Sequence, residues 1–163
     1  MLQFASKPPL SLNDFLKHCA ELIPKQDLGL IKQVVSTDAY LLDVSGPGIL
    51  LKWKEFDLTL RNELVKARAV RKKVDPARFL RSEAHFDINI THIAQASLRH
   101  TSILEAERYL DLERWKMLDQ ASCGHYFDLD FLLVYALKLV ILERWVKIGA
   151  CDKAELAEKA LLH

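Results

Sequence analysis

The sequence predicts an all-α fold, a multi-helix bundle or array around a central apolar helix. Apolar residues recur at intervals of three and four rather than two, the period of a helix face. Only five glycines and five prolines interrupt 163 residues, and no run of β-branched alternation argues for a sheet. Half of the residues are hydrophobic and 28% are charged, the balance of a folded domain rather than a disordered tail. A single helical domain over 1–163 is expected, with a hinge at 43–48. A chain of this size buries roughly 68–70% of its unfolded surface, enough for one core without metal or disulfide staples.

Each element has a local reason. Ser11 precedes a run to about Leu22, with Asp14 three residues on in a capping-box arrangement and Phe15, Leu16, Cys19 and Leu22 on one face. Pro24 opens a second helix to about Val35. The stretch Asp43 to Gly48, ending Ser45-Gly46-Pro47-Gly48, is the clearest break. Beyond it Ile49, Trp53, Phe56, Leu60, Leu64, Ala67, Val70 and Val74 form one stripe of a helix roughly 39 Å long. Leu51, Leu58 and Val65 follow at steps of seven on nearly the opposite side. Such a helix lies between two layers of its own domain, or its second stripe meets a partner.

Asp75-Pro76 restarts the chain as a short helix through Phe79 and Leu80. A helical segment is expected over Ala84 to Arg99. Another is capped by Thr101 or Ser102 and ends near Cys123-Gly124. Asp128 caps the most apolar helix, Leu129 to Ile148, closed by Gly149. Its middle is hydrophobic all round except Lys138, so it belongs at the centre of the bundle. Asp152 with Glu155 makes a capping box for a last helix through Leu162.

A net charge of +1 supplies no global field for nucleic acid, anionic membrane or an acidic substrate. Cys19, Cys123 and Cys151 are odd in number and far apart, which suits a reducing cytoplasm with thiols packed as small apolar groups. Met1 to Leu12 holds no continuous apolar segment of the secretory kind. Phe131 to Leu142 is too short for a membrane span, which needs about 20 residues.

The densest charge lies between Arg61 and Arg81, where Arg61, Lys66, Arg68, Arg71, Lys72, Lys73, Arg78 and Arg81 face only Glu63 and Asp75. It reads as a solvated helix face or a protein-docking patch; nucleic acid is the weaker alternative, because no aromatic stacking platform or helix-turn-helix setting accompanies it. His85, His92 and His100 are spaced by seven and eight, and seven residues of helix rise about 10.5 Å, too far to share an ion. Cys123-Gly124-His125 sets a thiol beside an imidazole, but the glycine reads as a helix stop. Asp128 and Asp130 are explained as a cap and a first-turn acid. No phosphate loop or nucleophile elbow is present, so no catalytic residue, cofactor, metal or small-molecule substrate is expected. Leu112-Glu113-Arg114-Trp115 recurs as Leu142-Glu143-Arg144-Trp145, a short echo that suits two helix ends.

Five segments together carry a family likeness: Pro8-Pro9-Leu10-Ser11-Leu12; Arg61-Asn62-Glu63-Leu64 with Arg68-Ala69; Gly124-His125-Tyr126-Phe127-Asp128-Leu129-Asp130; Tyr135-Ala136-Leu137-Lys138-Leu139; and Leu142-Glu143-Arg144-Trp145. The chain resembles a bacterial family encoded among the genes of V-type (archaeal-type) ATP synthases. That family in turn looks like a shortened relative of the stalk-linking C-type (or d-type) component of V-type ATPases. The resemblance implies a noncatalytic accessory or coupling subunit, docked between rotor ring and central shaft and held at the membrane only through the complex. The chain is shorter than a full stalk-linking component, with its three related helical units, and would supply part of such a socket. Leu51, Leu58 and Val65 with Arg61, Arg68, Arg71, Lys72 and Lys73 are the expected partner-binding residues. The alternatives are a free helical adaptor or regulatory protein, and a nucleic-acid-binding protein using the basic patch.

Overall fold

The computed structural model describes residues 2–38, 41, 47–81 and 87–161, with side chains as far as Cys151. Among these the chain is helical throughout its regular structure: α1 (Leu12–Leu22), α2 (Lys25–Ser36), α3 (Gly48–Lys72), α4 (Ile88–Ser97), α5 (Ile103–Ala121) and α6 (Leu129–Leu161). A 3-10 turn over Pro76–Arg78 follows α3. No helix among the described residues is long and apolar enough to cross a membrane.

Local chemistry sets the helix starts. Ser11 Oγ accepts the Asp14 N–H at 3.0 Å, and the Ser11 hydroxyl donates to the Asp14 carboxylate at 2.7 Å. Ser102 accepts the Glu105 N–H at 3.0 Å, and Asp128 accepts that of Phe131 at 2.9 Å. Asp87, not singled out in the sequence, caps α4 by accepting the Asn89 and Ile90 N–H groups; the helix expected from Ala84 therefore starts at Ile88, and 82–86 lie outside the described residues. The expected hinge at 43–48 falls mostly outside them as well, with Pro47 and Gly48 leading into α3.

Two apolar clusters make the interior. Phe15 and Cys19 of α1, Ile31 and Val34 of α2, Leu50 and Trp53 of α3, Trp115 and Leu118 of α5, and Leu133 to Leu142 of α6 share the larger one. Leu60 and Leu64 of α3 meet Ile90 and Ala94 of α4 and Leu110 of α5 in the smaller. The first half of α3 thus belongs to one cluster and its middle to the other. From Leu129 to Glu143 no residue of α6 is exposed, while α1, α2 and α5 pack against that helix. At about 25 cal/mol per Å² of apolar area removed from water, these two clusters supply the main drive to fold.

Several expectations are corrected. Gly149 does not close the last long helix: α6 runs on to Leu161. Interior glycine costs a helix only about 1 kcal/mol, which the strong formers after it (Ala150, Ala154, Leu156, Ala157) offset. Asp152 and Glu155 accordingly lie inside α6 rather than at a start. The α3 core stripe stops short, because Val70 and Val74 are exposed. Lys73 takes a left-handed backbone (φ 55°), and the Val74 N–H bonds the Ala69 carbonyl at 3.1 Å, a Schellman-type stop that turns the chain away. The helix after Asp75-Pro76 ends at Arg78, leaving Phe79 and Leu80 exposed. Only Cys19 packs as an apolar thiol; Cys123 and Cys151 are exposed.

Lys138 is buried on α6, where its ammonium bonds Asp119 and sits 5.1 Å from the Trp115 ring centre. Asp119 remains partly in water, so the two partners are not equivalent. Removing the Asp119 carboxylate strands a buried charge and costs about 3 kcal/mol or more. Removing the ammonium leaves a hydrated carboxylate. Urea unfolding is expected to show Asp119→Ala as clearly more destabilising than Lys138→Met; equal losses would contradict this account.

Candidate functional site

Three arginines and four carboxylates from α3, α5, α6 and the end of α2 form an alternating ladder. Asp38 meets Arg61 at 3.4 Å, Arg61 meets Asp57 at 2.6 Å, and Asp57 meets Arg114 at 3.6 Å. Arg114 meets Asp111 at 3.0 Å, Asp111 meets Arg144 at 2.6 Å, and Arg144 reaches Glu107 at 3.5 Å. The indole N–H of Trp145 also donates to Asp111 at 2.9 Å. Asp111 is 1% exposed, so its charge is tolerable only because these donors surround it.

The ladder lines a cleft of about 580 Å³ whose other wall includes Val34, Trp53, Leu137 and Ile141. Of the ladder, Asp38, Asp57 and Asp111 line the cleft with Arg61, Arg114 and Arg144, so carboxylate and guanidinium balance along it. Its chemistry is that of a clamp joining α3, α5 and α6. The short echo falls here: Arg114 and Arg144 both grip Asp111, while Trp115 fills the core and Trp145 bonds the same carboxylate.

The motif residues divide into two groups. Most work inside the molecule. Arg61 belongs to the ladder rather than to a free basic face. Buried Asn62 forms a two-way clamp with the backbone of Arg81, its amide donating to the carbonyl at 2.8 Å and its oxygen accepting the N–H at 3.0 Å. Glu63 holds Lys66 at 2.6 Å. Glu143 accepts the Leu12 N–H at 2.6 Å, placing a carboxylate on the first turn of α1. Gly124 has φ 88°, a conformation open to glycine at little cost. His125 Nδ1 lies 2.7 Å from Asp128, so the imidazole next to Cys123 is engaged with a helix cap.

Two motif residues face outward. Tyr126 is 70% exposed and Phe127 is 105% exposed. With Phe131 and Leu132 they edge a shallow apolar hollow of about 430 Å³ at the α5–α6 turn. An aromatic pair held in water by a glycine turn and a capped helix start has the character of an interaction site.

Of the expected partner stripe, Leu51 is exposed whereas Leu58 and Val65 are half-buried. Counting 100° per residue puts Asn62 within about 60° of all three, so Arg81, clamped to Asn62, sits on the side of α3 that carries that stripe. Arg68, Arg71, Lys72 and Lys73 are exposed, with no ion-pair partner among the described residues. His92 lies on α4 and His100 in the turn after it; His85 is outside the described residues. Among the described residues no three His, Cys, Asp or Glu side chains group as metal ligands.

Sequence reasoning missed Asp57, Asp111 and Arg114. The spacings Asp57/Arg61 and Asp111/Arg114 are those of helix ion pairs, and the Arg-Trp echo marked the place.

Residues 88–158, covering α4, α5 and most of α6, match the model of a family described as protein of unknown function (DUF2764). Neither the curated proteins nor the solved structures contain a match to the chain.

Truncation of Asp111 would leave the Trp145 indole N–H without its acceptor and Arg114 with the more distant Asp57 alone. Asp111→Ala is expected to destabilise by about 3–5 kcal/mol, and Arg144→Ala, at the more hydrated end, by about 1 kcal/mol. Chemical denaturation checks the order, and a reversed order contradicts the ladder. At the surface, the Phe131 N–H followed by His125 holds the Asp128 carboxyl below its usual value. Lys17, then Ser11, does the same for Asp14. A carboxyl depressed on folding stabilises above its unfolded pKa, about 4, and that gain disappears as pH falls through the lower folded value. NMR titration is expected to place both midpoints below 3.8; midpoints at or above it would contradict the capping geometry.

Proposed function

We propose that this chain is a noncatalytic accessory or coupling subunit of a V-type ATP synthase, docking between the rotor ring and the central shaft. The observation that carries the reading is the division of the likeness segment from Gly124 to Trp145. His125, Asp128, Glu143, Arg144 and Trp145 are engaged inside the chain, and Tyr126 and Phe127 are left to the solvent. Residues of that kind serve an external surface.

A part that passes torque must hold its helices in fixed relation while its neighbours turn. The ladder across α3, α5 and α6 suits that duty, since removing the partners of Asp57 or Asp111 leaves a buried carboxylate behind. Exposed Leu51 and the cations at the end of α3 offer a second surface, so the chain could meet one partner at the α5–α6 turn and another along α3. In this reading the protein works on the cytoplasmic side, and its contact with the inner membrane passes through the complex.

Co-purification from native membranes tests the reading. The tagged chain is expected to bring down rotor-ring and shaft subunits, and Tyr126→Ser/Phe127→Ser to lose most of that recovery with an unchanged thermal midpoint. Recovery of the chain alone, or undiminished recovery with the double variant, would count against it.

A further inference from the structure

A groove of about 410 Å³ runs between the end of α3 and the beginning of α5. Arg68 and Arg71 form one rim, and Leu98, Ile103, Ala106 and Leu110 line the apolar part. Ile103 is 86% exposed and Val70, next to the arginines, is 75% exposed. Beyond the rim, Val74, Phe79 and Leu80 are also exposed, interleaved with Lys72, Lys73 and Arg78.

Among the described residues the basic groups here outnumber the nearby acids. Arg68, Arg71, Lys72, Lys73 and Arg78 have no ion-pair partner among the described residues. The nearby acids are occupied: Asp75 accepts the Ala77 N–H, Glu107 reaches Arg144, and Glu105 is bonded by the Thr101 hydroxyl. The α3 dipole accounts for Arg71 and Lys72 in the last turn. It does not account for Arg78 beyond the helix, for Arg68 a turn earlier, or for the apolar side chains left uncovered among them.

We propose that this groove and the basic strip beside it bind an acidic amphipathic helix of a protein partner. Apolar anchors one turn apart on that helix would fill the floor between α3 and α5, and its flanking carboxylates would meet Arg68 and Arg71 on the rim. The floor is aliphatic and His100 is the one ring in the groove lining, too few for a run of stacked bases, which disfavours nucleic acid. A bilayer surface has no protruding side chain to enter a concave groove, which disfavours direct membrane contact. The inference stands whether or not the partner belongs to a rotary ATPase.

The probe is a fluorescent synthetic helix with leucines on one face and glutamates on both flanks, titrated against the full chain by anisotropy. Binding that weakens with salt is expected. Arg68→Glu/Arg71→Glu should weaken it about tenfold or more, and Ile103→Ser, at an exposed position, should weaken it without changing the thermal midpoint. A matched peptide with lysine for glutamate should not bind. Absence of binding by the acidic peptide, or indifference to both variants, overturns the proposal. So does tighter capture, through the same arginines, of phosphatidylserine vesicles or a mixed-sequence oligonucleotide.

Discussion

Asp111 is a carboxylate closed off from water between two arginines and an indole. An unpaired charge in that position would cost several kcal/mol, so its donors must be present whenever the chain is folded. They come from its own helix, α5, and from α6. Through Arg114 the same constraint reaches Asp57 on α3, and through Arg61 it reaches Asp38 just past α2. The apolar clusters provide most of the driving force, but they are non-directional. The ladder specifies how the helices are set against one another, because its charges are satisfied in one arrangement.

The polar interior also explains what is left outside. Asn62, Glu143 and Trp145 use their hydrogen-bonding groups on the chain itself, closing the return segment, the start of α1 and the α5–α6 contact. Among the described residues left to the solvent are an aromatic pair at the α5–α6 turn and, at the end of α3, a basic strip with bare aliphatic groups. We propose that both are surfaces that other macromolecules cover.

Much of the fold was legible in the sequence because it follows from short-range chemistry. Ser11, Ser102 and Asp128 announced helix starts, and the apolar spacing from Ile49 to Leu64 gave the inner face of α3. Errors came where a local signal competed with its surroundings. Gly149 looked like a terminator but sits among strong helix formers; Val70 and Val74 kept the period of a core stripe although the Schellman stop at Lys73 leaves nothing to cover them. The site was less legible. Arg61 counted as part of a basic patch because its partners Asp57 and Asp38 are brought to it by helix spacing and by the fold. Asp111, four residues before Trp115, carried no sign that it would also meet Arg144 from another helix. Tyr126 and Phe127 were visible as motif residues, but only their exposure separates them from neighbours that build the turn.

We propose that the outward aromatic pair is a contact surface for a specific neighbour, while the charged residues within hold the shape that presents it. Site-specific photo-crosslinking from position 127 in living cells tests this most directly, with a crosslinker at exposed Lys32 on α2 as the comparison. The account predicts one dominant product from position 127 that contains a rotor-ring or shaft subunit. Scattered products matching those from position 32, or none at all, would contradict it.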